Sequence, residues 1–402
     1  MAITELPPLS LYVHFPWCVQ KCPYCDFNSH SIKQSIPEAD YIRALLNDLE
    51  QELPAIWGRS LTSIFIGGGT PSLMSVEGMD QLLSGIRARL PFLADTEVTM
   101  EANPGTVEAE KFNGFYQAGV NRISIGVQSF NDIFLKTLGR IHHSDEALRA
   151  FEIARQAGFK NINIDLMYAL PEQTIEQALS DLTIATDLQP EHLSWYQLTL
   201  EPNTAFYHTP PKNMASDDLL ADIGEAGLEF LTNKNYQRYE VSAFNLNGKH
   251  PSWHNTNYWQ FGDYVGIGAG AHGKITRADT QEIIRTSKRR SPKDYLNKEK
   301  SFVDKTRTVT NQELPLEFMM NAMRLKQGVS LNSFSPRTGI PVNQIEKSIE
   351  RCQQRGLVES EQNIIKPTST GYVFLNEILN EFMPEKFPQL DKTERILFKE
   401  VD

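Results

Sequence analysis

The chain has 402 residues, with 39 Lys and Arg against 50 Asp and Glu, and a formal net charge of −11. Hydrophobic residues make up 40% and charged residues 22%. That excludes a disordered or collagen-like chain, and at roughly 100–200 residues per domain it points to two or three domains, or one large barrel with an appendage. The acidic balance argues against a protein that wraps nucleic acid through its bulk field.

The opening MAITELPPLSLYVHF has no basic stretch and no long apolar core, so it does not read as a signal peptide. No apolar run reaches the ~18 residues of a membrane-spanning helix. The expectation is the reducing cytosol. Short Ile- and Val-rich runs then predict strands at Leu11–Phe15, Ser63–Ile66, Glu97–Glu101, Arg122–Val127, Asn161–Met167 and His192–Leu198, with another at Tyr239–Ala243. Helices are predicted between them. Ile42, Leu45, Leu46 and Leu49 draw one apolar stripe. Thr174 and Gln177 form a capping box, with Pro190 past the helix end, and Gly158 caps the helix that carries Leu148, Phe151 and Ala154.

Such alternation implies parallel strands with right-handed crossovers, in an open sheet or a barrel. Residues 1–280 are assigned to this domain. Residues 281–310, with the basic stretch from Lys288 to Lys300, read as a solvated linker or extension. Residues 311–402 read as a mostly helical, winged-helix-like domain, better suited to packing or a lid than to DNA because its charges balance.

Three of the four cysteines, Cys18, Cys22 and Cys25, fall within eight residues. A disulfide scaffold would spread them. A Cys22-Pro-Tyr-Cys25 dithiol suits a far smaller fold and leaves Cys18 unused. Zinc could take the three thiolates with His14 or His30, but a second closely spaced ligand pair is missing. Three soft thiolates in one loop suit an iron–sulfur cubane whose fourth iron stays open. Cys352, on a C-terminal helix, reads as an ordinary helix residue.

Other polar residues fall where parallel sheets bind ligands, at the carboxyl ends of strands. Gly67-Gly68-Gly69-Thr70 follows the second strand, Glu101 and Asn103 end the third, Gln128 and Ser129 follow the fourth, and Asp165 lies near the end of the fifth. Each alone would be an ordinary turn or cap. Gly268-x-Gly270-x-x-Gly273 matches a dinucleotide pattern by letter, but it reads as a tight turn that brings His272 near the site.

Cys-x-x-x-Cys-x-x-Cys resembles the radical S-adenosylmethionine (SAM) superfamily. The order LYVHFPWC, KCPYCDF, IFIGGGTPS, EANPGT, RISIGVQSFN, IDLMYALP, HNTNYW and GIGAGAHG resembles, within it, the HemN/HemW family. The resemblance implies an α/β fold, a partial (β/α)6 TIM-like barrel with a smaller C-terminal domain. It implies a 4Fe-4S cluster on Cys18, Cys22 and Cys25, with S-adenosyl-L-methionine at Tyr12, Tyr24, Gly68, Gly69, Thr70, Glu101, Gln128, Arg140 and Asp165. The coproporphyrinogen III dehydrogenase branch carries a further cysteine where this chain has Phe27. HNTNYW instead resembles the HNxxYW signature of the heme chaperone branch, which implies heme as cargo, heme-accepting proteins and an electron donor as partners, and no decarboxylation. His254 can offer an imidazole to heme iron, and Trp253, Tyr258 and Trp259 can offer flat faces. The alternative is a segment that packs on the barrel's open edge with His254 hydrogen-bonded. A homodimer and peripheral membrane contact are compatible with the sequence but not specified by it.

Overall fold

The computed structural model describes residues 2–33, 35–105 and 109–384. Thr106 of the EANPGT motif and the last part of the expected C-terminal domain, 385–402, lie outside the described residues.

Twelve strands form one mixed sheet. In chain order they are β1 (Leu9–Phe15), β2 (Leu61–Gly68), β3 (Phe92–Ala102), β4 (Arg122–Gln128), β5 (Ile162–Tyr168), β6 (His192–Gln197), β7 (Tyr236–Glu240), β8 (Ala243–Leu246), β9 (Asp263–Ile267), β10 (His272–Arg277), β11 (Glu282–Lys288) and β12 (Val303–Thr308). Strands β1 to β6 lie side by side in sequence order and all pair in parallel. Strand β9 joins β1 in parallel on the other side. The remaining strands add antiparallel at each edge, so among the described residues the sheet runs from β12 to β7 without closing. This is the open barrel of six strand–helix units.

The reasons are visible in the residues. Strand β1, LSLYVHF, buries every residue except Tyr12 fully, as a strand covered on both faces must. Helix Glu38–Ile56 turns Ile42, Leu45 and Leu49 onto the sheet. Helix Ile175–Asp187 starts with the expected capping box of Thr174 and Gln177. Gly158 takes φ +103°, just past helix Ser144–Gln156, where a Cβ would be strained.

Three expectations need amending. Tyr239–Ala243 is not one strand but the turn of the antiparallel hairpin β7–β8. Residues 281–310 contain β11 and β12, which extend the sheet. Lys288, expected on a solvated stretch, is 1% exposed and pairs with Asp48 and with Glu52 at 2.6 Å. A charge is tolerated there because two carboxylates meet it.

The C-terminal region has its own core, including Phe318, Phe334, Ile349 and Cys352. Helices Leu314–Ala322, Phe334–Thr338 and Glu346–Gln354 surround a small sheet made by Val329–Ser330 and the hairpin Val358–Glu361 with Ile364–Pro367. That is the expected winged-helix order. Cys352 lies inside this second core. No helix of the described residues is long and apolar enough to cross a membrane.

Candidate functional site: the strand ends of the open barrel

The cysteine loop leaves β1 after Phe15. Its base is closed by a short parallel ladder between Trp17–Cys18 and His30–Ser31. Cys18 is buried, whereas Cys22 and Cys25 are half-buried. A turn with Cys25 N–H donating to Cys22 O at 3.2 Å sets the last two thiols. None of the three is in a disulfide. Burial pushes the Cys18 thiol up and the Cys25 thiol up to about 11, partly offset by the Ser29 hydroxyl. Without a metal these groups are thiols; binding iron would release their protons. Among the described residues no group of three His, Cys, Asp or Glu side chains is already drawn around one ion position. Three free thiols spread over one loop fit a cubane, in which each sulfur meets a different iron.

A chain of hydrogen bonds ties this loop to the other strand ends. Arg140 donates from Nη1 to Cys22 Sγ at 3.7 Å, and from Nη2 to Asn103 Oδ1 and Gly126 O, both at 2.7 Å. Asn103 Nδ2 donates to Thr70 Oγ1 at 3.1 Å. Gly69 N–H and Thr70 N–H donate to Phe15 O and Trp17 O at 2.7 and 2.8 Å. Arg140 Nε is buried without a partner among the described residues. Glycine is required at 68: φ is +110°, and a Cβ would lie 2.4 Å from His14 Cε1. At Gly69 a Cβ would meet Trp17 O at 2.6 Å. Gln128 is buried at φ +71°, uncommon for a side chain of this kind, and its Oε1 accepts from Tyr196 Oη at 2.7 Å.

Glu101 accepts from Gly68 N–H at 3.0 Å. Burial first, then the nearby Asp165, pushes it up to about 7. Asp165 is also raised by burial, against hydrogen bonds from Ser124 Oγ and Asn163 Nδ2, both at 2.8 Å. Two acids at this end therefore resist ionising until a cation or a set of donors joins them. Tyr24 packs near Phe206, with ring centroids 6.3 Å apart. Tyr12 Oη hydrogen-bonds His14 Nδ1 at 2.9 Å.

A cavity of about 320 Å³ opens beside these groups. Tyr12, Gly68 and Glu101 line one wall; His254, Tyr258 and Trp259 line another; Phe27 and Arg290 are also in its lining. The signature segment forms helix Trp253–Trp259, capped by Ser252 Oγ, which accepts from Asn255 N–H. His254 is 1% exposed. Its Nδ1 bonds Ser63 Oγ at 3.1 Å and its Nε2 bonds Tyr258 Oη at 2.7 Å. Burial lowers its pKa to about 3, so the ring is neutral. Both nitrogens are thus engaged, as in the packing alternative, while the ring still faces the cavity. Trp259 is buried, but Trp253 is 58% exposed and outside the cavity lining.

The sequence did not single out Asn28, which donates to Ala269 O and Arg290 O, both at 2.8 Å, and clasps the cysteine loop to the late glycine turn. Nor did it find Tyr196 or the Ser124–Asn163 pair. These partners lie 39 to 262 positions away in the chain, and no local pattern marks them.

The Radical SAM superfamily is matched over residues 12–183, and the HemN C-terminal domain over residues 309–374. The solved coproporphyrinogen III oxidase HemN of Escherichia coli superposes with TM-score 0.80 at 23% identity, covering 95% of this chain and 91% of that one. That likeness carries the fold. The heme chaperone HemW of Escherichia coli is 49% identical over 383 residues, 95% of this chain and 100% of the relative. HemW of Haemophilus influenzae is 50% identical over 386 residues, and HemW of Bacillus subtilis 35% over 389, again covering nearly all of both chains. The chain belongs to the HemW heme chaperone family of the radical SAM superfamily.

Proposed function

We propose that this chain binds heme, a 4Fe-4S cluster and SAM, and that it delivers heme to acceptor proteins. The observation that carries this reading is the shared cavity. Groups assigned to SAM, namely Tyr12, Gly68 and Glu101, and the helix bearing His254 and Tyr258 line one space. Phe27 at that cavity replaces the extra cysteine of the dehydrogenase branch.

Cys18, Cys22 and Cys25 would hold the cluster. Cluster and SAM together supply one-electron reductive chemistry at a sulfonium centre. The chain's own residues do the holding. Gly68 and Gly69 allow bare backbone to approach the ligand. Glu101 and Asp165 would accept hydrogen bonds from hydroxyl or amine donors, and Arg140 fixes Cys22 against Asn103. Gln128, Tyr24 and Thr70 lie at the same strand ends but outside that cavity's lining, and would meet SAM from the cysteine-loop side. For heme, His254 would exchange its Tyr258 hydrogen bond for iron. Acceptor proteins and a reductant for the cluster are the partners this implies. The free thiols favour a reducing cytosol.

The complete strand-end set also favours a second reading, a radical oxidoreductase acting on a tetrapyrrole such as coproporphyrinogen III. One experiment separates them. Pure, anaerobically reconstituted protein is incubated with SAM, a reductant and coproporphyrinogen III, and heme is titrated into a parallel sample. Heme binding without protoporphyrinogen supports the chaperone. Protoporphyrinogen formation overturns it.

A further inference from the structure

We infer that the buried chain Asn257–Ser10–Ser63 holds the His254 proton on Nε2, the nitrogen that iron needs, so that heme binding reverses this chain and heme release restores it. This deepens the heme reading and rests on it.

The direction of each bond follows from what its partner can do. The Asn257 amide has one orientation, because Asp263 O can only accept. Its Nδ2 lies 2.9 Å from that oxygen and 2.8 Å from Ser10 Oγ, and donates to both. Strands β1 and β2 set Ser10 beside Ser63, with their Oγ atoms 2.7 Å apart. Both serines are 0% exposed. Among the described residues Ser10 Oγ meets Asn257 Nδ2, which is a donor, and Ser63 Oγ. A buried hydroxyl keeps its proton paired, so Ser10 donates to Ser63. Ser63 in turn donates to His254 Nδ1, 3.1 Å away. The imidazole is buried between two hydroxyls with no acid on either nitrogen, so it is neutral and carries one proton. With a lone pair on Nδ1, that proton sits on Nε2 and is donated to Tyr258 Oη at 2.7 Å.

Nε2 is the nitrogen on the cavity side, since its partner Tyr258 lines the cavity whereas Ser63 does not. Iron takes a lone pair. In the heme-bound ring the proton has therefore left Nε2 and one has joined Nδ1. Nδ1–H then donates to Ser63, and Ser63 turns its own proton to Ser10. Asn257 still donates to Ser10, whose proton is left without an acceptor among the described residues. Each bound heme is opposed by one buried unpaired hydroxyl. Ser10 and Asn257 lie outside the cavity lining. They are positioning residues that act through the histidine, and they weaken a ligand bond that cargo must leave.

The first measurement needs no heme. Long-range 1H–15N correlation spectra of the full heme-free chain, with His254→Ala to assign the ring among nine histidines, read which nitrogen is protonated. A protonated Nε2 and a bare Nδ1 are expected; a protonated Nδ1, or a doubly protonated ring, overturns the inference. The second measurement uses Asn257→Asp. A protonated carboxyl there still donates to Asp263 O while accepting from Ser10, so the chain can run the other way. The proton should move to Nδ1, and hemin, followed by Soret absorbance, should bind about tenfold tighter, the scale of one buried unpaired hydroxyl. An unaltered tautomer overturns the relay, and a reversed tautomer with unchanged hemin affinity overturns its link to release. Should circular dichroism show that Asn257→Asp does not fold, Ser63→Ala cuts the chain instead and should leave both tautomers populated; a ring still protonated at Nε2 alone overturns the relay. A wild type that binds no hemin, whichever nitrogen is protonated, overturns the heme reading itself.

Discussion

At the cysteine-loop end of the cavity, the groups assigned to cofactors keep unused capacity. The three thiols are in no disulfide, and Arg140 Nε is buried without a partner among the described residues. At the signature helix the opposite holds. His254 is buried with both ring nitrogens satisfied, by Ser63 and Tyr258. On the proposed reading, the first end offers groups that no internal bond occupies, whereas His254 would have to give up its bond to Tyr258 to bind iron. A chaperone gains from that asymmetry: a ligand bond that competes with an internal one is easier to release.

The largest expected effect tests the first end. A Cys18/Cys22/Cys25→Ala variant should lose all cluster absorbance after anaerobic reconstitution, while far-UV circular dichroism stays that of the wild type. A colourless wild type would break the comparison at once. Next comes His254→Ala, expected to weaken hemin about tenfold or more, since roughly 1.4 kcal/mol is a factor of ten. Unchanged binding in a Soret titration would remove His254 as a ligand.

The acidic wall gives a pH signature. Glu101 is raised to about 7 by burial, so the folded chain without ligand keeps a proton that the unfolded chain gives up. That stabilisation is full below the ordinary carboxyl range and is lost as pH rises through about 7. Chemical denaturation at pH 5 and pH 8 should show a loss of about 2 kcal/mol that Glu101→Gln does not share. A parallel loss in both proteins would contradict the burial account.

Tyr258→Phe sharpens the contrast in the other direction. Removing the hydroxyl frees His254 Nε2 and should tighten hemin about fivefold, the worth of one net hydrogen bond of ~1 kcal/mol. Weaker binding would mean that Tyr258 holds heme rather than the histidine. The smallest effect is expected at Cys352→Ala: the second core should lose about 1 kcal/mol of stability and the iron content should not change.

The sequence showed much of the first end and little of the second. Ile- and Val-rich runs and helix caps placed six parallel strands, because strands buried on both faces must be apolar throughout. Once the strands are parallel, their carboxyl ends converge, and Cys18, Gly68, Glu101 and Gln128 come to one edge. What escaped depends on long-range partners. The satisfaction of His254 requires Ser63, 191 positions earlier, and Lys288 looked solvated until Asp48, 240 positions earlier, is brought against it. The β7–β8 hairpin was hidden because Val241 and Ser242 do not look like a tight turn.

The most direct measurement is heme transfer. Heme-loaded, cluster-containing protein is mixed with an apo heme-accepting protein, and the Soret bands of donor and acceptor are followed in time. The account predicts loss from this chain with matching gain by the acceptor, and slower transfer from the three-cysteine variant. Heme that stays on the donor in the presence of excess acceptor would contradict it.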